Sequence, residues 1–248
     1  MALGWLTITL LAVATIECKA HTKKNAGDAK GFAVVELFTS EGCSSCPPAD
    51  EVVAKIQKES ANEPIYILAF HVDYWNRLGW KDVFSSADYS RRQNQYASWL
   101  KTGEIYTPQI VVNGKTAFVG SEEGTLRNVI KAGLQKDAVA EIMLGDIKVD
   151  GNKVSLNYQT KGSIANTDLL VSVVQKSAQT KVERGENAGH TLSHVQIVRL
   201  LQSFTLKSDS GAESLALPKG VDAKGSELIA FLQNTSTGAI IGATKATF

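Results

Sequence analysis

The stretch FTSEGCSSCPPADEV, residues 38 to 52, contains the pattern that decides the fold. It places two residues between Cys43 and Cys46 and follows them at once with Pro47 and Pro48. Prolines suit the first turn of a helix, where their missing N–H groups cost little. A CxxC pattern at a helix start occurs in redox centres, in structural disulfides and in halves of zinc sites, so the pattern alone leaves three kinds of site open.

A strand precedes this stretch and a helix follows it. Residues 33 to 38, AVVELF, are apolar and β-branched, as in a buried strand. Residues 49 to 60, ADEVVAKIQKES, carry apolar side chains at helical spacing, and their first turn contains acids, which the helix dipole favours there. A second strand, residues 65 to 72, places His71 and Asp73 at its C-terminal end.

The following elements complete a compact α/β layer. Residues 88 to 100 predict a helix, and TPQIVVNG with AFVG predicts two strands around an Asn-Gly turn, followed by the helix EGTLRNVIKAGL. From about Val139 onward, strand-like runs alternate with turn residues and no long amphipathic helix is evident. The sequence therefore predicts an α/β domain over residues 32–136 and an antiparallel β-sandwich-like domain over residues 139–248.

Charge and composition argue against a nucleic-acid partner. The 248 residues include 26 Lys and Arg against 25 Asp and Glu, a formal net charge of +1. No run of basic residues interleaves with aromatic ones, as a nucleic-acid groove requires. At this length the chain can bury a core without disulfide or metal staples.

The N-terminus is typical of a secretory signal peptide. Residues 2 to 16 form an uncharged apolar block, shorter than the roughly 20 residues that a membrane-spanning helix needs. Cleavage near Ala20 would remove residues 1–20, including Cys18, and leave a polar linker at residues 21–31. The alternatives are a retained membrane anchor and a lipid-modified Cys18. We expect a secreted or periplasmic protein that touches a membrane only through an uncleaved N-terminal segment.

Loss of the signal peptide would isolate the CxxC pair as a local switch. Without Cys18, the mature chain has Cys43 and Cys46 as its cysteines, and an oxidising compartment would join them in a disulfide. Thiol–disulfide exchange needs a thiolate and a second thiol that resolves the mixed disulfide. Because the first sulfur can lie over unpaired N–H groups at a helix start, we expect Cys43 to attack and Cys46 to resolve. The hydroxyls of Ser44 and Ser45 are candidate modulators.

Long motifs elsewhere in the chain add a family resemblance. The segments VVELFTSEGCSSCPPAD, FHVDYWNRLGWKDVFSS, YSRRQNQYA, YTPQIVVNG and RGENAGHTLSHVQIVR together resemble a family of secreted thioredoxin-like proteins of unknown function. The resemblance covers nearly the whole mature chain. It implies a thioredoxin-like fold and an extracytoplasmic compartment, but no established substrate.

The resemblance also implies roles for residues far from the CxxC. In thioredoxin-like folds the proline of such a Thr-Pro element has a cis peptide bond, packs against the CxxC and offers backbone groups to an extended substrate. This implies that Thr107 and Pro108 position the substrate, with Gln109 as their neighbour. One departure is that the buried acid assisting proton transfer in thioredoxin corresponds to Leu37 here. Strand alternation predicts that the adjacent Glu36 faces the other way.

His71 and Asp73 are candidate modulators of the cysteine pair. They end a strand of the predicted parallel sheet, at the edge where such strands line a crevice. They could tune the thiolate or move a proton, or they could merely hydrogen-bond the WNRLGWKD loop. Convergence of His71 with Cys43 and Cys46 would also provide ligands for copper.

Other conspicuous residues are assigned structural roles. The aromatic side chains of DYWNRLGWKDVF are expected to pack this insertion onto its scaffold. Arg91 and Arg92 are expected on a solvated helix face. Glu186, Asn187 and His190 are expected to fix their loop to the neighbouring domain, and the two histidines of RGENAGHTLSH lose their metal-like spacing in a loop that enters a strand.

The residues thus predict an extracytoplasmic thiol–disulfide oxidoreductase that acts through Cys43 and Cys46. We expect protein or small-thiol substrates, a separate redox partner, and no cofactor or bound metal. The alternative is a binding module without enzymatic activity. It would bind either copper, through the two cysteines and His71, or a protein, through the β domain.

Overall fold

The computed structural model describes residue 1 and residues 30–248. The predicted signal peptide, its cleavage site and most of the polar linker lie outside the described residues. Across the described part of the chain, no helix combines the length and the apolar character needed to cross a membrane.

Three α-helices and eleven β-strands form between residues 30 and 248. In chain order they are β1 (Ala33–Thr39), α1 (Pro47–Glu59), β2 (Ile65–His71), α2 (Ala87–Leu100), β3 (Gln109–Val112), β4 (Thr116–Val119), α3 (Glu123–Leu134), β5 (Ala140–Asp150), β6 (Lys153–Gly162), β7 (Thr167–Lys181), β8 (Thr191–Thr205), β9 (Ser210–Ala216), β10 (Ser226–Asn234) and β11 (Ile240–Ala246).

The strands form one large mixed sheet and a second, antiparallel sheet. The large sheet has the order β11-β10-β7-β8-β2-β1-β3-β4, and β5, β6 and β9 form the small one. β1 and β2 are parallel, while β3 is antiparallel to both β1 and β4. The mixed α/β class with a second antiparallel sheet, predicted from the strand and helix patterns, is therefore observed.

β1 lies between β2 and β3 in the large sheet and is buried along its whole length. Its alternate residues Ala33, Val35 and Leu37 pack with apolar side chains of α1 and α3. Val34 and Phe38, on the other face, pack with the tyrosines of α2. Because both faces are covered, the strand reads as a continuous apolar run interrupted by one charge.

The large sheet continues across the predicted boundary near residues 136–139. β8 lies beside β2 in parallel, with Ala69 opposite Ile197. The small sheet covers the outer strands of the large one, where an apolar core forms between Leu156 of β6 and residues such as Val171 and Leu228. The small antiparallel sheet therefore packs face to face with the outer strands of the large sheet. The pairing of β8 with β2 brings the second half of the chain against the CxxC half.

Glu36, the single charged residue of β1, explains why the predicted solvent exposure of one α2 arginine is wrong. Arg91 is exposed, as expected, and it pairs with Asp88. The expectation of solvation is wrong for Arg92, which is buried and binds Glu36 through two contacts, from Nε to Oε2 at 2.5 Å and from Nη2 to Oε1 at 2.9 Å. The reason is alternation along β1, which turns Glu36 towards α2, where a planar guanidinium can bind it at two points.

Candidate active site

The CxxC occupies the turn between β1 and α1. Cys43 and Cys46 are joined in a disulfide, with 5.4 Å between their Cα atoms. Both residues are 0% exposed, whereas Ser44 and Ser45 between them are exposed. An attacking thiol therefore reaches neither sulfur until a neighbouring segment moves.

The start of α1 offers fewer backbone donors than expected. Cys46 is the N-cap residue, and the first two helical residues, Pro47 and Pro48, have no N–H group. The next two N–H groups, of Ala49 and Asp50, both bind the carbonyl oxygen of Cys46. Stabilisation of a Cys43 thiolate must therefore come largely from side-chain donors.

The hydroxyl of Thr107 is such a donor, and the hydroxyl of Ser45, which donates to the Thr107 carbonyl oxygen, lies close to the same sulfur. The Oγ1 atom of Thr107 donates to the Sγ atom of Cys43 at 3.3 Å, across 64 residues of sequence. The Oγ atom of Ser45 lies 3.4 Å from the same sulfur. Trp75 holds Thr107 in place, because its indole N–H donates to Oγ1 at 2.8 Å. A hydroxyl hydrogen bond to a sulfur favours the thiolate over the thiol.

The Thr107-Pro108 peptide bond is cis. The carbonyl of Pro108 accepts a hydrogen bond from Gly120, and a Cβ atom at Gly120 would lie about 3 Å from both Ala49 of α1 and Pro108. This close approach sets Pro108 against the helix that carries Cys46. The side chain of Gln109 is buried and accepts from Gln93 of α2 at 3.0 Å, so its hydrogen bond runs to the helix.

His71 and Asp73 are placed in different surroundings. His71 is buried, and its Nδ1 atom lies 2.7 Å from Oδ2 of Asp82. Asp73 accepts from the hydroxyl of Ser90 at 2.5 Å, and the same hydroxyl receives the N–H of Asp73 at 3.1 Å. Asp73 therefore fixes the loop after β2 to α2, and its contacts do not involve the cysteines.

A cluster of buried ionisable residues lies behind the CxxC, and sequence reasoning missed most of it. We call it the acid–histidine cluster, and its members are Glu41, Asp50, His71, Asp82 and His194. His194 of β8 places Nε2 at 3.4 Å from Oε1 of Glu41 and Nδ1 at 4.0 Å from Oδ1 of Asp50. Its ring centroid is 4.9 Å from that of His71.

Two members of the cluster, His194 and Asp82, have perturbed pKa values. Burial, the largest influence on His194, acts to lower its pKa, but Asp50 and Glu41 together outweigh burial and raise the pKa to about 9. Burial likewise acts to raise the pKa of Asp82. The charge and hydrogen bond of His71, with backbone N–H groups, outweigh that effect and lower the pKa of Asp82.

The loop between β7 and β8 covers the CxxC turn and hydrogen-bonds to its backbone. We call residues 183–189 the strap. Asn187 is buried, and its side-chain amide donates to the carbonyl oxygens of Glu41 and Cys43, each at 2.9 Å. Glu186 accepts from the N–H of Ser44 at 2.9 Å, a hydrogen bond that lowers the pKa of Glu186. The strap and His194 belong to one hairpin, which therefore holds the CxxC turn on two sides.

The loop contacts expected for Glu186, Asn187 and His190 are only partly as predicted. Glu186 and Asn187 bind the backbone of the CxxC itself, while the side chain of His190 is exposed. The aromatic insertion packs as expected, and Trp80 donates from Nε1 to Glu41 at 2.7 Å. A sequence signal for His194 existed in the motif RGENAGHTLSHVQIVR, but nothing local indicated its partners.

The copper arrangement considered from the sequence is not assembled. His71 directs Nδ1 at Asp82, and the sulfurs of Cys43 and Cys46 are joined to each other. Over residue 1 and residues 30–248, no three His, Cys, Asp or Glu side chains are grouped as metal ligands would be.

Loosening the strap should expose the disulfide. In an Asn187→Ala variant we expect the Cys43–Cys46 bond to be reduced about 30-fold faster by a phosphine, because two buried hydrogen bonds of about 1 kcal/mol each no longer oppose local opening. Stopped-flow reduction followed by thiol labelling measures this rate. Asn152→Ala, in the exposed turn between β5 and β6, is the control. Equal reduction rates for the two variants would contradict a covering role for the strap.

Comparison with known proteins places the chain in a family. Over 101 residues it is 30% identical to a protein of Archaeoglobus fulgidus named "Probable Thioredoxin", an alignment that covers 40% of this chain and 88% of the relative. The crystal structure of protein AGR_C_4864 from Agrobacterium tumefaciens is 28% identical, with a TM-score of 0.67 over 87% of this chain and 93% of that one. Residues 34–233 match the family model described as "Protein of unknown function (DUF1223)", and the chain belongs to this family.

Proposed function

We propose that this protein is an extracytoplasmic thiol–disulfide oxidoreductase with a thioredoxin-like active site. The observation that carries the proposal is the Thr107 hydroxyl hydrogen-bonded to the Cys43 sulfur beside a cis Thr107-Pro108 bond. The order β2-β1-β3-β4, with α1 linking the parallel pair, and the similarity to a relative named "Probable Thioredoxin" support it. The apolar residues 2 to 16 support the compartment.

The proposed chemistry follows from the unequal surroundings of the two sulfurs. A substrate thiolate attacks Cys43, whose sulfur accepts hydrogen bonds from Thr107 and faces Ser45, so it is the better stabilised thiolate in the reverse direction. The Cys43–Cys46 bond breaks, Cys46 leaves as a thiolate, and a second substrate thiol then displaces Cys43 from the mixed disulfide. In the reducing direction the Cys43 thiolate attacks a substrate disulfide, and Cys46 resolves the mixed disulfide. The strap must first withdraw, since both residues are fully covered. Thr107 and Pro108 position the substrate backbone.

A resolving-cysteine variant tests this proposal. In the Cys46→Ser variant we expect the Cys43 thiolate to attack disulfides of cell-envelope proteins and to remain in mixed disulfides with them, because no second thiol of this protein is present to release them. Non-reducing electrophoresis and mass spectrometry identify the adducts. The Cys43→Ser/Cys46→Ser double variant is the control. Absence of adducts, together with a wild-type disulfide inert to dithiols, would contradict the proposal.

The direction of electron flow has its own measurement. Equilibration of the wild-type protein with glutathione or dithiothreitol buffers gives the reduction potential of the Cys43–Cys46 pair. A value among those of the thioredoxins would assign a reductase, and a value nearer to those of periplasmic oxidants would assign an oxidase. A bond that resists both buffers would be structural, which would contradict an enzymatic role.

A further inference from the structure

The acid–histidine cluster has unpaired polar atoms that the exchange steps above do not use. Of the six buried side-chain N and O atoms without a hydrogen-bond partner among the described residues, four belong to this cluster. They are Oε1 of Glu41, Nε2 of His71 and both ring nitrogens of His194. A buried polar atom left unpaired costs about 1–3 kcal/mol, so four in one place require an explanation beyond packing.

His194 is surrounded by acids and is held at ion-pair distance without a formed hydrogen bond. Glu41 faces it from the turn after β1 and Asp50 from α1. His71 faces it from β2, with Asp82 behind, and the Phe84 ring closes that side with Arg199 stacked over it. The carboxylates of Glu41 and Asp50 are therefore the groups placed to exchange a proton with the His194 ring.

Two members of the cluster adjoin the CxxC turn along the chain, one at each end. Asp50 lies one helical turn after Cys46, so the two side chains share the buried face of α1. The backbone N–H of Asp50 also binds the carbonyl of Cys46 at 3.2 Å. Glu41 precedes Cys43 by two residues and meets the same imidazole. The position facing α1 from β1 is the apolar Leu37, so that strand supplies no acid on this face.

We infer that His194, linked through Asp50, is the proton-exchange group of the Cys43–Cys46 centre. The inference rests on the proposed function. When a substrate thiolate attacks Cys43, the electron pair of the broken S–S bond goes to the Cys46 sulfur. The proton of the His194 imidazolium passes to that sulfur by way of Asp50, and water returns a proton to His194. The second substrate thiol then loses its proton and attacks the mixed disulfide. That attack frees Cys43 as a thiolate, so the substrate loses two electrons and the cysteine pair gains two.

The position of His194 gives this role a pH dependence. Asp50 and Glu41 hold the pKa of His194 at about 9, so the imidazolium is present at neutral pH and is lost above that value. General acid assistance is typically worth about 10²-fold or more. Assistance should therefore operate fully at pH 6–8 and decline about tenfold for each pH unit above about 9.

Variants of both partners test the inference. The rate constant for reduction by dithiothreitol is measured from pH 5 to 10.5 for the wild type, His194→Gln and Asp50→Asn, with the exposed His190→Gln as control. The ratio of wild-type to variant rate at each pH cancels the ionisation of the reagent. We expect a ratio of about 10² at pH 7 that falls to about 10 at pH 10 and lower still at pH 10.5 for the first two variants, and a ratio of 1 throughout for the control.

Two outcomes would overturn the inference. In the first, the His194→Gln and Asp50→Asn variants fold and show wild-type rates and pH profiles. The cluster would then have only a structural role, and an active wild type would still support the proposed function. An inert wild-type disulfide would overturn the proposed function and this inference together.

A measurement on the wild type covers variants that fail to fold. The pKa of the His194 imidazole, followed by NMR, should differ between the oxidised and reduced forms. Only in the reduced form is Cys46 a free thiol whose ionisation is coupled to that of His194. The His190 signal serves as the internal reference. Identical His194 titrations in the two forms would also overturn the inference.

Discussion

An Arg92→Met variant should lose about 3–5 kcal/mol of unfolding free energy, the cost of leaving a buried charge without its partner. Arg92 is buried and neutralises Glu36 through two contacts, and it also donates to Gln233 of β10 at 3.2 Å. The Tyr96 hydroxyl donates to the same carboxylate, and burial keeps the pKa of Tyr96 well above its usual value. The expected loss is a large fraction of the 5–15 kcal/mol that stabilises a typical protein.

Urea unfolding monitored by circular dichroism measures this loss. Arg91→Met is the matched control, since Arg91 is the adjacent residue of α2 and forms an exposed pair with Asp88. We expect the control to change stability by less than about 1 kcal/mol. The double variant Glu36→Leu/Arg92→Met, which removes both charges, should recover much of the loss. Equal losses for Arg92→Met and Arg91→Met would show that the buried pair does not stabilise this fold.

The stability of the oxidised protein should fall as the pH rises from 6.5 to 10. The folded state raises the pKa of His194 from its ordinary value of 6.5 to about 9, so it binds this proton more tightly than the unfolded chain does. The stabilisation is complete below the unfolded pKa and is lost as the pH passes through about 9. A shift of this size corresponds to at most about 3 kcal/mol.

The comparison of variants isolates this contribution from other titrations. Unfolding free energies of the wild type and His194→Gln, measured between pH 6 and 10.5, should converge as the pH rises. His190→Gln, whose side chain is exposed, should keep the wild-type slope. A pH-independent difference between wild type and His194→Gln would mean that the imidazole is not charged in the folded protein.

Local patterns predicted the elements that carry the cysteines. The apolar run of β1, the Pro-Pro helix start and the acids of the first turn each act on neighbouring residues, so they predict a strand, a turn and a helix in sequence. The same local logic predicted that Glu36 and Leu37 face opposite sides of the sheet. The assignment of Thr107 and Pro108 came instead from a resemblance over long motifs, because their contact with the CxxC spans 64 residues.

The partners within the buried clusters were not predictable from local patterns. Asp50 reads as an acid that favours a helix start, and Arg92 reads as a charge on a helix surface. Each can instead be buried beside a charged partner, and which of the two environments it has depends on residues far away in the sequence. The helix dipole accounts for Asp50 without His194, so no pattern in the sequence required that partner.

The sequence by itself determined the cysteine pair, its helix and its strand, since these depend on interactions within a few residues. Only the tertiary structure decided what surrounds the pair. The pairing of β8 with β2 brings His194 behind the CxxC turn and, through the same hairpin, Asn187 across it. Strand order is set by the burial of whole sheet faces and not by any one segment. For that reason Asn187 covers the cysteine pair, and His194 places a charge beside it, only when both halves of the chain pack together.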